Sequence, residues 1–376
     1  MSAQNDVSRA PGAAPALLGL EVMRFVCALS VLLWHYQQFY VVGPVHADMV
    51  HDHGVQPWAS WLAPFYGHGW LGVQAFWALS GFIFFWKYGQ AVADGRVAAG
   101  RFAWLRFSRL YPLHLLTLLA MLPLIAWYRA QTGGQDYVYP HNTVENFVLQ
   151  LFLASDWAGR NEWSFNGPIW SISIEVLAYA VFFALSRLGW VRPWQIGVVI
   201  AAMGAVYALK LTAHPLVLCL FFFYLGGLTH AVWHRVRQAG ERWQLAMNVV
   251  VVAGLAGSTA LAAWGLLRPM FYLAALAPLG MLALLAVVHP RSSRTAGWLS
   301  TLGHTTYASY LLHFPLQLLV ANLSGADPSR LPLHSPWWLM GYLTLTFGLA
   351  ALTYRWIEAP AQRALRGWSD RGRQAA

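Results

Sequence analysis

Four stretches of the chain set ionisable or hydroxyl side chains into surroundings apolar enough to cross a bilayer. The first, LLGLEVMRFVCALSVLLWHYQQFY (residues 17–40), carries Glu21, Arg24 and His35. A charge near mid-membrane costs several kcal/mol unless it faces partners or water, so these groups need a reason. Arg24 and His35 are 11 residues apart. At 100° per residue they point to one side of a helix, roughly 16 Å apart along its axis, and could line one polar path. In such a path His35 is the expected general base, and Arg24 is expected to hold the donor or the developing oxyanion.

The second stretch, HGWLGVQAFWALSGFIFFW (68–86), has Gly69, Gly72, Ser80 and Gly81 where helices could approach closely, with Gln74 among aromatic residues. The third, RFAWLRFSRLYPLH (101–114), places Arg106 and Arg109 at i, i+3, so that two guanidinium forks can reach one phosphate-bearing ligand. Ordinary anchoring by basic residues at a helix start explains them equally well. The fourth, NGPIWSISIEVLAYAVFFAL (166–185), carries Trp170, Ser171, Ser173 and Glu175 in its first turns. A carboxylate two turns into a membrane helix points to function more than to a structural ion pair, and Glu175 is assigned to orienting a His or Arg. Later, LGHTTYASYLLHFPL (302–316) adds His304, Tyr307, Tyr310 and His313, where a membrane histidine is often only a hydrogen-bonding group between helices. There is no GxSxG, HExxH or Walker loop and no HxxxxD acyltransferase arrangement, so direct transfer assisted by His35 is simpler than a covalent intermediate.

These segments need a membrane frame. The 376 residues are 58% hydrophobic and 10% charged, with mean hydropathy +0.46; soluble domains carry about 25% charged residues. Spanning runs are expected near 17–40, 68–88, 110–129, 167–188, 194–211, 214–234, 244–264, 268–289, 298–321 and 335–357. That predicts an all-α, polytopic protein of about ten transmembrane helices. With the amino terminus inside, 18 of the 24 Lys and Arg fall on the inner side. Arg129, Arg160, Lys210, Arg268 and Arg330 fall outside, and Arg24 lies in the membrane. The asymmetry puts both termini in the cytoplasm and accounts for the net charge of +10 without nucleic acid. Residues 1–15 read as a cytoplasmic tail without a cleavable signal, 16–358 as the membrane domain, and 359–376 as a basic cytoplasmic tail followed by no further domain.

Cys27 and Cys219 both fall in apolar runs and read as buried packing residues. The outer loop HADMVHDH (46–53) has no recognised ligand spacing and reads as polar loop rather than metal site. TVENFVLQLFLAS (143–155) reads as a short amphipathic helix lying in the interface.

Together the segments resemble acyltransferase family 3, integral membrane proteins of bacteria that move acyl groups onto surface carbohydrates. The resemblance rests on E-x-x-R-x10-H (Glu21, Arg24, His35), GVQAFWALSGF (72–82), R-x-x-R-x-x-P (Arg106, Arg109, Pro112), WSISIE (170–175), LGHTTYASYLLHFPL (302–316) and YRWIEAP (354–360). Gln74 departs from a common acidic residue, and His304 and Thr306 from a common Arg and Ser. The resemblance implies an acyl-CoA co-substrate, usually acetyl-CoA, reached from the cytoplasm and met by Arg106 and Arg109. It implies no permanently bound cofactor, and a sugar hydroxyl on a lipid-linked glycan or polysaccharide as acceptor, at the inner membrane. Glu21, Ser80, Trp170, Ser173, Tyr307 and His313 are the expected supporting residues. The alternatives are a succinyl or longer-chain acyltransferase and, in a different class, a proton-coupled transporter, although no inverted repeat shows.

Overall fold

A computed structural model describes residues 17–41, 53–290 and 292–374. The expected cluster from His46 to Asp52 lies outside the described residues. Among the described residues the protein is helical, without a β-sheet. The helices are α1 (Leu18–His35), α2 (Ala59–His68), α3 (Gly72–Phe84), α4 (Gln90–Ala93), α5 (Ala99–Thr132), α6 (Val144–Leu151) and α7 (Ile169–Arg187), then α8 (Pro193–Ala208), α9 (Leu216–Ala239), α10 (Glu241–Ala263), α11 (Pro269–Val287), α12 (Ser293–Leu323), α13 (Pro336–Thr353) and α14 (Ala359–Gln374).

Seven helical stretches are long and apolar enough to cross a membrane, by length and composition. They take in α1, the run from α2 to α4, α5, α7, α9, α10 and α11. The other three expected spans are also helical, but α8 has only 16 residues and α12 buries a polar stripe. Thr305, Thr306, Ser309, His313 and Gln317 of α12 are all buried inside the bundle, which lowers its hydropathy without exposing it to water. The surroundings of the bundle are apolar as well. On α10, Leu245, Val249, Val250 and Val252 are 62–67% exposed, an apolar surface suited to contact with hydrocarbon.

Glycines set the closest approaches, as their positions predict. Gly81 and Gly226 bring α3 and α9 into backbone contact, Gly81 against Phe223 and Gly226 against the Ala78 carbonyl. Gly72 abuts the Cys27 carbonyl of α1, and Gly69 abuts Ser30. Cys27 and Cys219 are both buried.

Three features differ from the sequence expectation. α5 has 34 residues, about 51 Å at 1.5 Å per residue, so it outruns a hydrocarbon core of about 30 Å and carries Arg101, Arg106 and Arg109 on its projecting start. Residues 359–374, read as a tail, form α14 docked on that projection. The Trp104 indole donates to Leu365 O at 3.0 Å, and Arg366 Nε reaches Ser108 Oγ at 3.4 Å. Two π-helical turns, Phe85–Gly89 and Tyr354–Glu358, interrupt α3–α4 and α13–α14. The expected amphipathic segment is α6, started by the Thr143 hydroxyl accepting from Asn146 N.

Candidate active site

α1, α3, α5, α7 and α12 enclose a cavity of about 140 Å³. Arg24, Ser80, Arg106, Arg109, Glu175 and Tyr307, from five separate segments, all line it. At one end stand the arginines. Arg106 donates to the Tyr88 phenol at 2.8 Å and lies over the rings of Phe84 and Tyr88, with 4.9 and 5.1 Å from guanidinium carbon to centroid. Its buried Nε has no partner among the described residues, leaving a donor unspent beside the cavity. Arg109 pairs with the buried carboxylate of Glu358 and lies 5.6 Å over the Tyr307 ring. Both arginine partners, Tyr88 and Glu358, come from the π-helical turns, a kind of helix defect frequent at functional sites. Arg24 is joined to Glu21 one turn earlier, 3.2 Å apart. Glu21 itself does not line the cavity but balances a charge that does.

Glu175 faces Ser80 and Tyr179. Among the described residues it has no ion pair, and its Oε1 has no hydrogen-bond partner, so the expected role of orienting a His or Arg by direct contact does not hold. The WSISIE segment splits by helical periodicity. Ser171 and Glu175, four residues apart, line the cavity, whereas Ser173 points away. Ser173 Oγ accepts from Asp156 N at 3.2 Å and its carbonyl accepts from the Trp157 indole at 3.0 Å, which makes it a tie to the 152–165 loop rather than a site residue. In that loop, burial pushes the Asp156 carboxyl above the usual range, while the Asn161 N–H acts in the opposite sense. Trp170 supports from behind, packed edge-on against Trp77 at 5.9 Å between centroids.

Away from the arginines the lining includes Ser171 and Tyr310, whose hydroxyls are 2.7 Å apart, with the Tyr310 phenol also 2.9 Å from Pro168 O. Behind Tyr310 stands a pair of histidines. The rings of His35 and His313 are 4.7 Å apart, and His313 is 5.7 Å from Tyr310. His35 Nδ1 lies 2.9 Å from Val31 O, and His313 Nδ1 lies 2.6 Å from Tyr310 O. A carbonyl only accepts, so a neutral imidazole in this position carries its proton on Nδ1 and keeps the lone pair on Nε2, the form a general base needs. Gln317 donates to His35 O at 2.9 Å and fixes the end of α1 on α12. The expected common face of Arg24 and His35 is therefore not one open wall. Arg24 lines the cavity, whereas His35 does not and is reached from Tyr310 through His313.

The family model described as an acyltransferase domain matches residues 17–355. The chain belongs to acyltransferase family 3. It is 34% identical over 102 residues to "Protein 2 in picA locus" of Rhizobium radiobacter, covering 27% of this chain and 42% of that protein. It is 29% identical over 180 residues to the acyltransferase MdmB of Streptomyces mycarofaciens, covering 46% of this chain and 39% of that protein. The chain thus spans less than half the length of the curated relatives it matches. No solved structure matches it significantly.

In this family-3 chain the site residues that the sequence reading does not single out are Glu358, Tyr88 and Arg366, and Tyr310 is named there without a role. Glu358 carried a readable signal, a lone carboxylate next to Tyr354, Trp356 and Ile357. Gln74, the departure from an acidic residue, is turned inward. With its amide oriented as its surroundings require, the nitrogen donates to Trp70 O and Leu71 O at 3.0 and 3.3 Å.

Proposed function

We propose that the protein is a bacterial inner-membrane O-acyltransferase that moves an acyl group, most simply acetyl from acetyl-CoA, to a hydroxyl of a lipid-linked glycan or surface polysaccharide. The observation that carries this reading is one narrow cavity with three arginines at one end and, beyond Tyr310 at the other, a histidine pair in the base-competent tautomer. Its size favours a slender thioester arm: about 140 Å³ lies well under the ~300–1,000 Å³ of a pocket that swallows a whole drug-sized ligand. The bulky phosphates stay at the mouth, where Arg106 has an unspent donor and Arg366 adds charge. The distribution of Lys and Arg supports an orientation with both termini in the cytoplasm, in which this mouth faces the side where CoA is found.

In the step proposed, His35 Nε2 takes the proton of the acceptor hydroxyl as its oxygen attacks the thioester carbonyl. Arg24, at the arginine end of the cavity, holds the donor. The carbon–sulfur bond then breaks, and the CoA thiolate leaves with the proton from His35. Tyr310 and His313 stand between the cavity and His35, so their side chains must move for base and thioester to meet.

Mass spectrometry of surface glycans from cells with and without the gene tests the reading. One acyl group should be missing from one glycan in the deleted strain, and the same glycans with the same acylation in both strains would refute it. His35→Ala at normal protein level should lose about 10²–10⁴ in transfer rate.

A further inference from the structure

On the opposite face of the α1–α3 pair from the cavity, a second and larger space of about 850 Å³ opens between α1, α2, α3, α10 and α11. Its wall is almost wholly apolar, and its polar groups gather at one end, where Arg268, His68 and Tyr272 stand. Among the described residues Arg268 has no carboxylate partner.

The packing of α1 on α11 gives the height of that end. Gly19, near the start of α1, abuts the backbone of Leu284, near the end of α11, so the two helices run antiparallel. Sixteen residues along α1 from Gly19 is His35, and sixteen residues back along α11 from Leu284 is Arg268. Each step is about 24 Å at 1.5 Å per residue. Arg268 is therefore level with His35. From Arg268 to Leu284 the groove is also longer than one leaflet, about half of a 30 Å hydrocarbon core. It has room for a tail longer than one leaflet is deep.

We infer that this groove holds the lipid carrier of the acceptor, a long-chain polyprenyl phosphate whose tail lies along α11 and whose phosphate meets Arg268 and His68. The assignment rests on the acyl-transfer reading above and extends it. A sugar attached beyond that phosphate is presented at the height of the histidine pair, on the other side of α1. Carrier and thioester would then approach the base from two faces, with neither having to pass through the other's space.

Gly280 provides the test, because it lines the groove and a Cβ there would meet nothing within 4 Å. Gly280→Phe should fill the groove without displacing α11. The full chain in nanodiscs of zwitterionic lipid is photolabelled with a diazirine-bearing polyprenyl phosphate, and the labelled peptides are mapped. Label is expected on α1 and α11, competed by unlabelled polyprenyl phosphate and not by excess phosphatidylglycerol. Gly280→Phe and Arg268→Gln should each reduce it at least tenfold. Equal competition by phosphatidylglycerol in the unaltered protein, or labelling that neither variant changes, would overturn the assignment, and the first of these does not depend on any variant folding. The two readings fail separately. Label absent from the groove while host glycans still depend on the chain for acylation refutes the carrier site alone. Specific label in the groove with glycans unchanged by gene deletion leaves the site standing and refutes acyl transfer.

Discussion

At the scale of single residues, the two arginines that the sequence treats as equivalent are not. Arg109 is committed to Glu358, a carboxylate only 2% exposed, whereas Arg106 has a phenol for a partner and an Nε with none. Removing one member of a buried pair strands the other charge, at a cost of about 3–5 kcal/mol. Glu358→Gln should therefore lower the yield and thermal stability of the protein, as read by fluorescence-detected size exclusion. Arg106→Gln should leave stability near that of the unaltered chain and raise the KM for acyl-CoA by roughly 10- to 100-fold, the loss of one or two charge-assisted hydrogen bonds. A KM unchanged by Arg106→Gln would mean that this arginine is only an anchor.

At the scale of elements, function depends on helices that are locally irregular or unusually close. The π-helical turns at Phe85–Gly89 and Tyr354–Glu358 rotate Tyr88 and Glu358 toward the start of α5. The contact of α3 with α9 keeps α3, which supplies Ser80, Phe84 and Trp77, against the cavity. Because Gly81 meets the Phe223 backbone rather than a movable side chain, Gly81→Val cannot be absorbed by rotamer change. It should destabilise the bundle by more than the 1–3 kcal/mol usual for overpacking, seen as a large fall in melting temperature. Gly341→Val, on α13 where a Cβ meets nothing within 4 Å, is the control expected to have little effect.

At the scale of the whole molecule, the bundle places its arginines at one mouth and its histidines deeper in, with the basic α14 packed beside that mouth. The distribution of Lys and Arg predicts that both termini are inside, an orientation open to direct measurement. A Cys introduced at Ser2 and another at Ala376, each in a chain whose Cys27 and Cys219 are replaced, should both react with a membrane-impermeant maleimide only after the inner membrane is opened. Reaction of either one in intact spheroplasts would reverse the predicted topology and with it the side of entry proposed for acyl-CoA.

The sequence by itself was enough for the membrane class, for seven spanning helices and for singling out Arg24, Ser80, Arg106, Arg109, Glu175 and Tyr307, which line one cavity, because a polar group in hydrocarbon is costly and so conspicuous. Periodicity within one helix could also have set Ser171 and Glu175 apart from Ser173, since it needs no knowledge of neighbours. What only the tertiary structure decided is which of these groups meet. Arg109 and its carboxylate are 249 positions apart, and the ring that stands between cavity and base comes from α12 rather than α1. Such pairings depend on which helices adjoin and at what height. That follows from glycine contacts and π-helical turns distributed over the bundle, and no local pattern of residues encodes it.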